Sequence, residues 1–472
     1  MSSPKDNSAI LTTGPVGWAL AKMAGPMLIG FLSMTLYLLA DRYFLRSLGA
    51  GAQAAMQYVS PVIMVVFSVT FGLSTGVAAV VSRAIGQGDV HRVRELTAHS
   101  LILVVSLTVI LCAVGMATMN QVFRALGAEG DNLRMVKEYM RIWYFGMAFV
   151  VVPIIGNTVI RATGDTVIPS LIMLLGAALN ALLDPFFIRG LWFFPKMGVA
   201  GAAVATLIGR ATTMALALLI LHYRLRMLQW VALHAKALWR SWRTVLFIGV
   251  PASFAQLLTA ATIGLLTRLV SDRYGPSVVA GIGNGYAIAN FPMMAMAAFL
   301  VSIVPFIGQN VGAGKWPRVR RSLALGQRLS VIWGLASYAV LAVLAWPLAR
   351  IISAEPAVAP TALFLMIVPM GMGLQGLHLL TSTSLSALHR PFLSALVNVV
   401  RTLLVLVLAW LGSHLWAVHG FFGGIVAADA VVGALAAAWI WRVVRLEAAR
   451  AAKAVPGEPI PLTITPPPVI DP

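Results

Sequence analysis

Cysteine is all but absent. The 472 residues hold one, Cys112, inside an apolar run, which excludes a disulfide framework and a thiolate metal cluster. Charge is scarce as well: 10% of the residues are charged, against about 25% in a soluble globular protein, while 60% are hydrophobic. Acids are scarcest, with 15 Asp and Glu beside 34 Lys and Arg. There is no His-Glu-x-x-His, no pair of Asp-rich diphosphate motifs and no Ser-His-Asp set, so a membrane-embedded enzyme is not expected. Met1 to Thr13 is polar and leads into an apolar run too long for a signal-peptide core, so no cleavable signal is expected.

What the chain does have is sequence suited to lipid. A bilayer core takes about 20 apolar residues per helix. About twelve such segments lie near 16–45, 52–82, 95–118, 135–160, 167–188, 198–222, 244–270, 277–308, 323–349, 358–385, 391–412 and 420–441. Several approach 30 residues, about 45 Å of helix, so tilted or broken spans are expected. Little remains for a soluble domain. The net charge of +19 would suit nucleic acid, but its placement argues for a membrane surface instead. The clusters Arg83 to Arg94, Arg224 to Arg243 and Lys315 to Arg328 fall on one side of the alternating spans. This positive-inside bias sets both termini in the cytoplasm of a multi-pass cell-membrane protein, with a bacterial inner membrane the expected home. The expected partners are the bilayer and small organic substrates, with no nucleic acid, and the protein is expected to be a monomer.

The chain also repeats itself at about 226 residues. Gly86-Gln87-Gly88 precedes Arg92-Val93-Arg94, and Gly312-Ala313-Gly314 precedes Arg318-Val319-Arg320 at the same spacing. Pro26 pairs with Pro251, Gly49 with Gly275 and Pro169 with Pro391, all at offsets between 222 and 226. Six spans per half with the same starting side make a parallel repeat, and transporters built so place the substrate site near the repeat interface. The expected layout is a cytoplasmic tail at 1–15, a first lobe at 16–222 and a basic cytoplasmic linker at 223–243. A second lobe follows at 244–446, then a disordered Pro-rich tail at 447–472.

Two acids lie where they are costly. Asp41 and Asp184 fall within apolar runs, and an ionisable group inside a membrane helix costs roughly 2.5–3.5 kcal/mol on insertion scales. Ser33, Tyr37 and Asp41 follow at i, i+4, i+8, as do Gly176, Asn180 and Asp184, so each helix carries a polar stripe ending in a carboxylate. Two carboxylates in one desolvated cavity favour holding a proton between them, and Asn180 could donate to one of them or help coordinate a hard cation. Counted across the repeat, their equivalents are Leu266 and Leu406, so the acid chemistry belongs to the first lobe. Asp429 is a third acid within a span, either a second coupling site or a partner for a base such as Arg401. Pro26 and Pro153 lie inside spans, as tolerated kinks or, at Pro26, as a hinge. The second lobe carries Gln256, Asn284, Asn290, Gln309, Gln375 and His378 among Met293, Met294, Met296, Met370 and Met372, a wall suited to varied ligands or simply a packed core.

Together these features resemble the MATE (multidrug and toxic compound extrusion) transporters, from about Val16 to Arg445. The resemblance rests on Pro26 with Leu36-Tyr37 and Ala40-Asp41, and on Val81-Ser82-Arg83 before Gly86 and Gly88. It also rests on Arg161-Ala162-Thr163-Gly164-Asp165 with Pro169, Asn180 with Asp184-Pro185, and Gly198-Val199-Ala200-Gly201-Ala202-Ala203. Acids in the first lobe with none at the matching cavity of the second are similar to the DinF-like rather than the NorM-like branch. The resemblance implies an all-α integral membrane protein of twelve helices, in two pseudo-symmetric six-helix lobes forming a V around a central cleft. It implies export of organic, often cationic, compounds by alternating access in exchange for H⁺ or Na⁺, with no other cofactor. By position it implies ion coupling at Asp41, Asn180 and Asp184, joined by Tyr139, Asn157 and Thr206, with Pro26 as hinge. Tyr37, Gln256, Asn284, Met293 and Gln375 are the expected substrate-cavity residues. The rival readings are export of one metabolite, such as a flavin, and flipping of a lipid-linked sugar. The flippase would need a cationic cavity for a pyrophosphate, whereas only Arg210 and Arg401 fall within the expected spans.

Overall fold

In lipid every backbone polar group must be satisfied within its own segment, so runs of this composition become helices. The computed structural model describes residues 10–46, 50–190, 195, 197–228 and 234–453, apart from the side chains of 37–56, 189 and 199. The first half comprises α1 (Val16–Arg46), α2 (Ala50–Gln87), α3 (Val90–Ala125), α4 (Gly130–Phe145), α5 (Met147–Ala162), α6 (Val167–Arg189) and α7 (Val199–Leu219). The second comprises α8 (Ala235–Tyr274), α9 (Pro276–Gly312), α10 (Trp316–Val343), α11 (Ala345–Ile352), α12 (Val358–Ile367), α13 (Met372–Ala387) and α14 (Pro391–Lys453).

Among the described residues nine stretches are long and apolar enough to span a membrane, and two bent pairs raise the number to eleven. The twelfth is hidden in α14. Its 63 residues are interrupted at Trp416 and Ala417, where φ of −137° and then +49° turn the chain back on itself. The two arms close on glycine: a Cβ at Gly412 would strike the carbonyl of Gly420, and one at Gly424 that of Leu408. The bent pairs are α4–α5, at 47° around Gly146, and α10–α11, at 67° around Leu344. The run expected at 323–349 is therefore two helices. Helix α8 begins inside the stretch expected to be linker, and α14 continues past Glu447.

The sequence repeat becomes a structural one at the end of the molecule that carries the basic clusters. Gly88 and Gly314 both take left-handed φ, +75° and +70°. Around them Asp89 N donates to Ala84 O (3.2 Å) as Lys315 N donates to Asn310 O (2.7 Å). The second pair of turns matches less completely. Gly164 is left-handed at +99°, and its counterpart is His389 at +61°, where a side chain is disfavoured. Burial, together with the nearby Arg83 guanidinium, lowers the His389 pKa to about 3 from an ordinary 6.5.

The two halves are joined by helices that meet backbone to backbone. Along α2, a Cβ at Gly72 would run into Ser253 of α8, and one at Gly76 would press within 2.6 Å of Val245 O. Toward the basic end, Gly86 of α2 faces Gln309 O, and Gly308 and Gly312 of α9 face Ser82 Oγ and Arg83 O. One hydrophobic core runs through this seam, taking Val77 and Ile85 from one side and Ile303, Phe306 and Leu385 from the other. A second core, around Leu266, Phe364 and Phe422, stays within the second half. The segment before α1 lies across the seam. Leu11 N donates to Gln309 Oε1 (3.1 Å), Gln309 Nε2 donates to Ala162 O (2.8 Å), and Lys315 Nζ donates to Thr12 O (2.9 Å). Arg318 donates to the carbonyls of Leu11, Thr13 and Gly14 at 3.0, 2.9 and 2.6 Å.

Two tests follow from this end of the molecule. Arg318→Ala removes three charge-assisted bonds at once, so hydrogen exchange in residues 10–14 should rise by about tenfold or more, as mass spectrometry of the purified protein would read. His389 stays neutral in the folded state while the unfolded chain protonates it near pH 6.5. Stability should therefore fall as pH drops from 6.5 toward 3. His389→Asn tolerates the same backbone and should shrink that loss in thermal melts at stepped pH.

Candidate functional site

Helix α6 is the site's spine because both its neighbours approach it at small residues. Gly30 of α1 lies 3.3 Å (as a Cβ contact) from Ser170 and Met173, and Ser170 Oγ donates to Met27 Sδ at 3.7 Å. The two helices run side by side. Asp41 is eleven positions beyond Gly30 and Asp184 eleven beyond Met173, so the register brings positions 41 and 184 to the same level. The side chains of Tyr37 and Asp41 lie outside the described residues, while Ser33 is buried and donates to Gly30 O (2.8 Å) within its own helix. On the other flank, a Cβ at Gly176 would meet Thr213 of α7 at 2.5 Å, and one at Gly209 would meet Gly176 O at 3.1 Å. These two glycines let α6 and α7 close up.

That closure brings Asn180 to Thr206. With the amide oriented to satisfy its surroundings, Asn180 Oδ1 accepts from Thr206 Oγ1 (3.2 Å) and Thr206 N (3.1 Å), and Nδ2 donates to Asp184 Oδ2 (3.1 Å). Asp184 is completely buried and Asn180 is 3% exposed. Three of the expected coupling residues therefore form one bonded set. Tyr139 is buried in the core that runs through the seam.

Beside this set lies a cavity of about 230 Å³ whose wall includes Asn180, Thr206, Gly176 and Asn157. Phe31, Phe67, Phe71, Met34 and Met173 supply its apolar surface, with Val301 and the exposed Gln256 completing it from the second half. It runs from Asn180 and Thr206 to Arg161, which precedes Ala162 at the seam, with Arg210 of α7 between them along the wall. Both arginines were absent from the expected site. The rule that singled out Asp41 and Asp184 applies to Arg210, since a guanidinium within a span is as costly as a carboxylate, while Arg161 falls one residue past the span expected at 135–160. Among the described residues no group of three or more His, Cys, Asp or Glu side chains gathers as a metal site.

The other expected second-half residues go elsewhere. Asn284 donates to Ser353 Oγ (2.9 Å), which pairs with Thr361 Oγ1 (2.7 Å), tying α9 to the chain between α11 and α12. Met293 packs against the second core, and Gln375 is half-buried on α13; neither lines this cavity. Asp429, 4% exposed, accepts from Arg401 Nε at 2.7 Å, which makes it the buried partner of a base. Removing one member should be costly. Arg401→Met should destabilise the protein by about 3–5 kcal/mol, and Arg401→Met with Asp429→Leu should restore most of it. Denaturant melts in detergent would read both, and an unchanged single variant would rule out a structural role for the pair.

A profile of the MatE family matches residues 26–186 and 251–411, the two copies of the repeat. Over 418 residues the chain is 32% identical to a Shewanella oneidensis protein named FAD transporter, covering 88% of this chain and 92% of that one. It is 23% identical over 422 residues to the multidrug export protein MepA of Staphylococcus haemolyticus, covering 89% and 92%. The structure of the Vibrio cholerae MATE transporter VcmN in its bent form superposes with a TM-score of 0.86 at 27% identity, covering 92% and 98%. An outward-facing MATE family multidrug resistance transporter, 24% identical, shares the fold with a TM-score of 0.86, covering 93% and 98%. The architecture of two pseudo-symmetric six-helix lobes forming a V around a central cleft is the one these transporters have.

Proposed function

We propose that this chain, which belongs to the MatE family of multidrug and toxic compound extrusion transporters, exports small organic compounds by antiport at a carboxylate site in its first half. It is a multi-pass membrane transporter and not an enzyme. One observation carries the site: Asp184, wholly buried inside a span, accepts from Asn180 beside a cavity lined by aromatic rings and methionines. A carboxylate so placed changes the charge beside the cavity when it takes or loses a proton, and the cavity is where a compound would feel the change.

The cycle we infer starts with a proton entering from outside onto Asp41 or Asp184. Neutralising the pocket lets α1 rearrange about Pro26, affinity for the bound compound falls, and the compound leaves outward. Deprotonation toward the inside resets the carrier. Such coupling requires ion and substrate to bind the two states differently, otherwise neither shifts the other. Asn157, Thr206 and Tyr139 complete the coupling site in this reading. The basic end faces the cytoplasm by the positive-inside bias, the inner membrane of a bacterium is the expected home, and the carrier works as a monomer of two lobes, 16–222 and 244–446.

A second reading narrows the cargo to a metabolite of the flavin class. What favours it is the 32% identity over nearly the full length to a protein named FAD transporter.

Proteoliposomes loaded with substrate and driven by a pure pH gradient or a pure sodium gradient test the proposal. Export should follow the pH gradient, and Asp184→Asn and Asp41→Asn should each reduce it at least about tenfold, the loss of one interaction of about 1.4 kcal/mol in the coupled state. Undiminished pH-driven export by Asp41→Asn would overturn the coupling scheme. Cationic dyes and flavins offered in parallel separate the two cargo readings.

A further inference from the structure

The end of the cavity beside the seam carries a charge that the antiport scheme does not use. Arg161 lines it, half-buried inside a membrane protein. A guanidinium carries five N–H donors, and Arg161 spends one on the protein, from Nη2 to Thr158 Oγ1 at 2.6 Å. That hydroxyl is itself fixed, donating to Ile154 O (2.8 Å) with Ser74 Oγ at 2.6 Å, so the guanidinium is held in place from behind. Among the described residues no carboxylate stands within ion-pair distance of it. Asp165, one turn on, caps α6 instead by accepting from Ile168 N at 3.1 Å.

A second observation points to the same place. Asn157, one helical turn before Arg161 on α5, lines the cavity with an amide that makes no hydrogen bond, and its Oδ1 is buried without a partner in a residue 6% exposed. Buried polar groups are nearly always paired, so the orphan Oδ1, an acceptor, marks a place for a ligand that brings a hydrogen-bond donor, beside a guanidinium free to take its anionic group. Among the described residues the cavity wall contains Arg161 and Arg210 and no Asp or Glu, and Phe31, Phe67 and Phe71 stand along it.

We propose that this end of the cavity is an anion subsite, built on Arg161 with Asn157 beside it, and that it takes the phosphate or carboxylate of an aromatic organic anion whose ring lies against the phenylalanines. This rests on the reading that the cavity carries the exported compound, and gives that compound its charge. Arginine suits the role because its planar fork matches the paired oxygens of phosphate and carboxylate.

Three flavins that share one ring system isolate the charge: riboflavin without phosphate, its monophosphate, and the dinucleotide. Binding to the purified full-length protein, read by flavin fluorescence quenching, should be at least about tenfold tighter for the two phosphorylated forms than for riboflavin. Arg161→Gln should bring that ratio to about one while leaving riboflavin binding within about twofold, which also reports that the variant is folded. Arg161→Lys should restore part of the preference. Competition by an aromatic carboxylate but not by inorganic phosphate would assign the subsite to organic anions, and competition by inorganic phosphate alone would overturn the aromatic part. Equal affinity for all three flavins, or a ratio unchanged in Arg161→Gln, would overturn the subsite. Binding and proton-driven export of a cationic dye, with no flavin bound, would remove the anion subsite and leave the antiport reading standing.

Discussion

Everything at the basic end depends on α2 lying against α8 and α9 without side chains between them. Gly72, Gly76 and Gly86 on one side, and Gly308 and Gly312 on the other, bring helix backbones close enough that a single methyl group at Gly86 or Gly312 would strike a carbonyl. Between membrane helices there is no hydrophobic force to speak of, so association relies on this kind of close van der Waals contact. Such a seam holds firmly when fully closed and has no interlocking side chains to untangle when it parts. The bonds from Gln309 to Ala162 and from Arg318 to the segment before α1 exist only because the seam sets these groups side by side. The Arg161 end of the cavity abuts the same contact.

The two halves share a backbone plan and differ in what they do with it. In the first, α6 approaches α7 through Gly176 and Gly209, and the space gained holds Asn180, Thr206 and Asp184. In the second, the positions matching the two acids are Leu266 and Leu406, and both pack with the second core. Asp429, an acid buried inside a second-half span, is neutralised within the fold by Arg401. Even a turn records the divergence, with Gly164 in one copy and a buried His389 in the other.

Much of this was legible in the sequence because its causes are local or periodic. Apolar length gives the spans, glycine pairs give the two matching turns at Gly88 and Gly314, and the i, i+4 stripe of Gly176, Asn180 and Asp184 gives the spine of the site. The breaks at Gly146 and Leu344 were not legible, because neither interrupts the apolar run. The turn at Ala417 was placed only as a gap between two spans. The cavity residues Phe31, Ser74 and Arg161 lie on different helices and meet only through the packing of α1, α2 and α5, which no spacing rule encodes. Asn284 illustrates the reverse error: an amide within a span reads as a cavity residue, yet its partner Ser353 is brought to it by the bend between α10 and α11.

The separation of signs along the cavity, with a carboxylate past one end and a guanidinium at the other, has an electrical consequence. Moving one elementary charge through a membrane potential is worth about 2.3 kcal/mol per 100 mV. Across a membrane that is negative inside, a proton entering and an anion leaving both travel with the field, and their contributions add. A cationic cargo leaving against one entering proton would cancel that contribution. A cavity whose wall carries Arg161 therefore suits a carrier whose exchange is driven by voltage as well as by the concentration of the coupling ion.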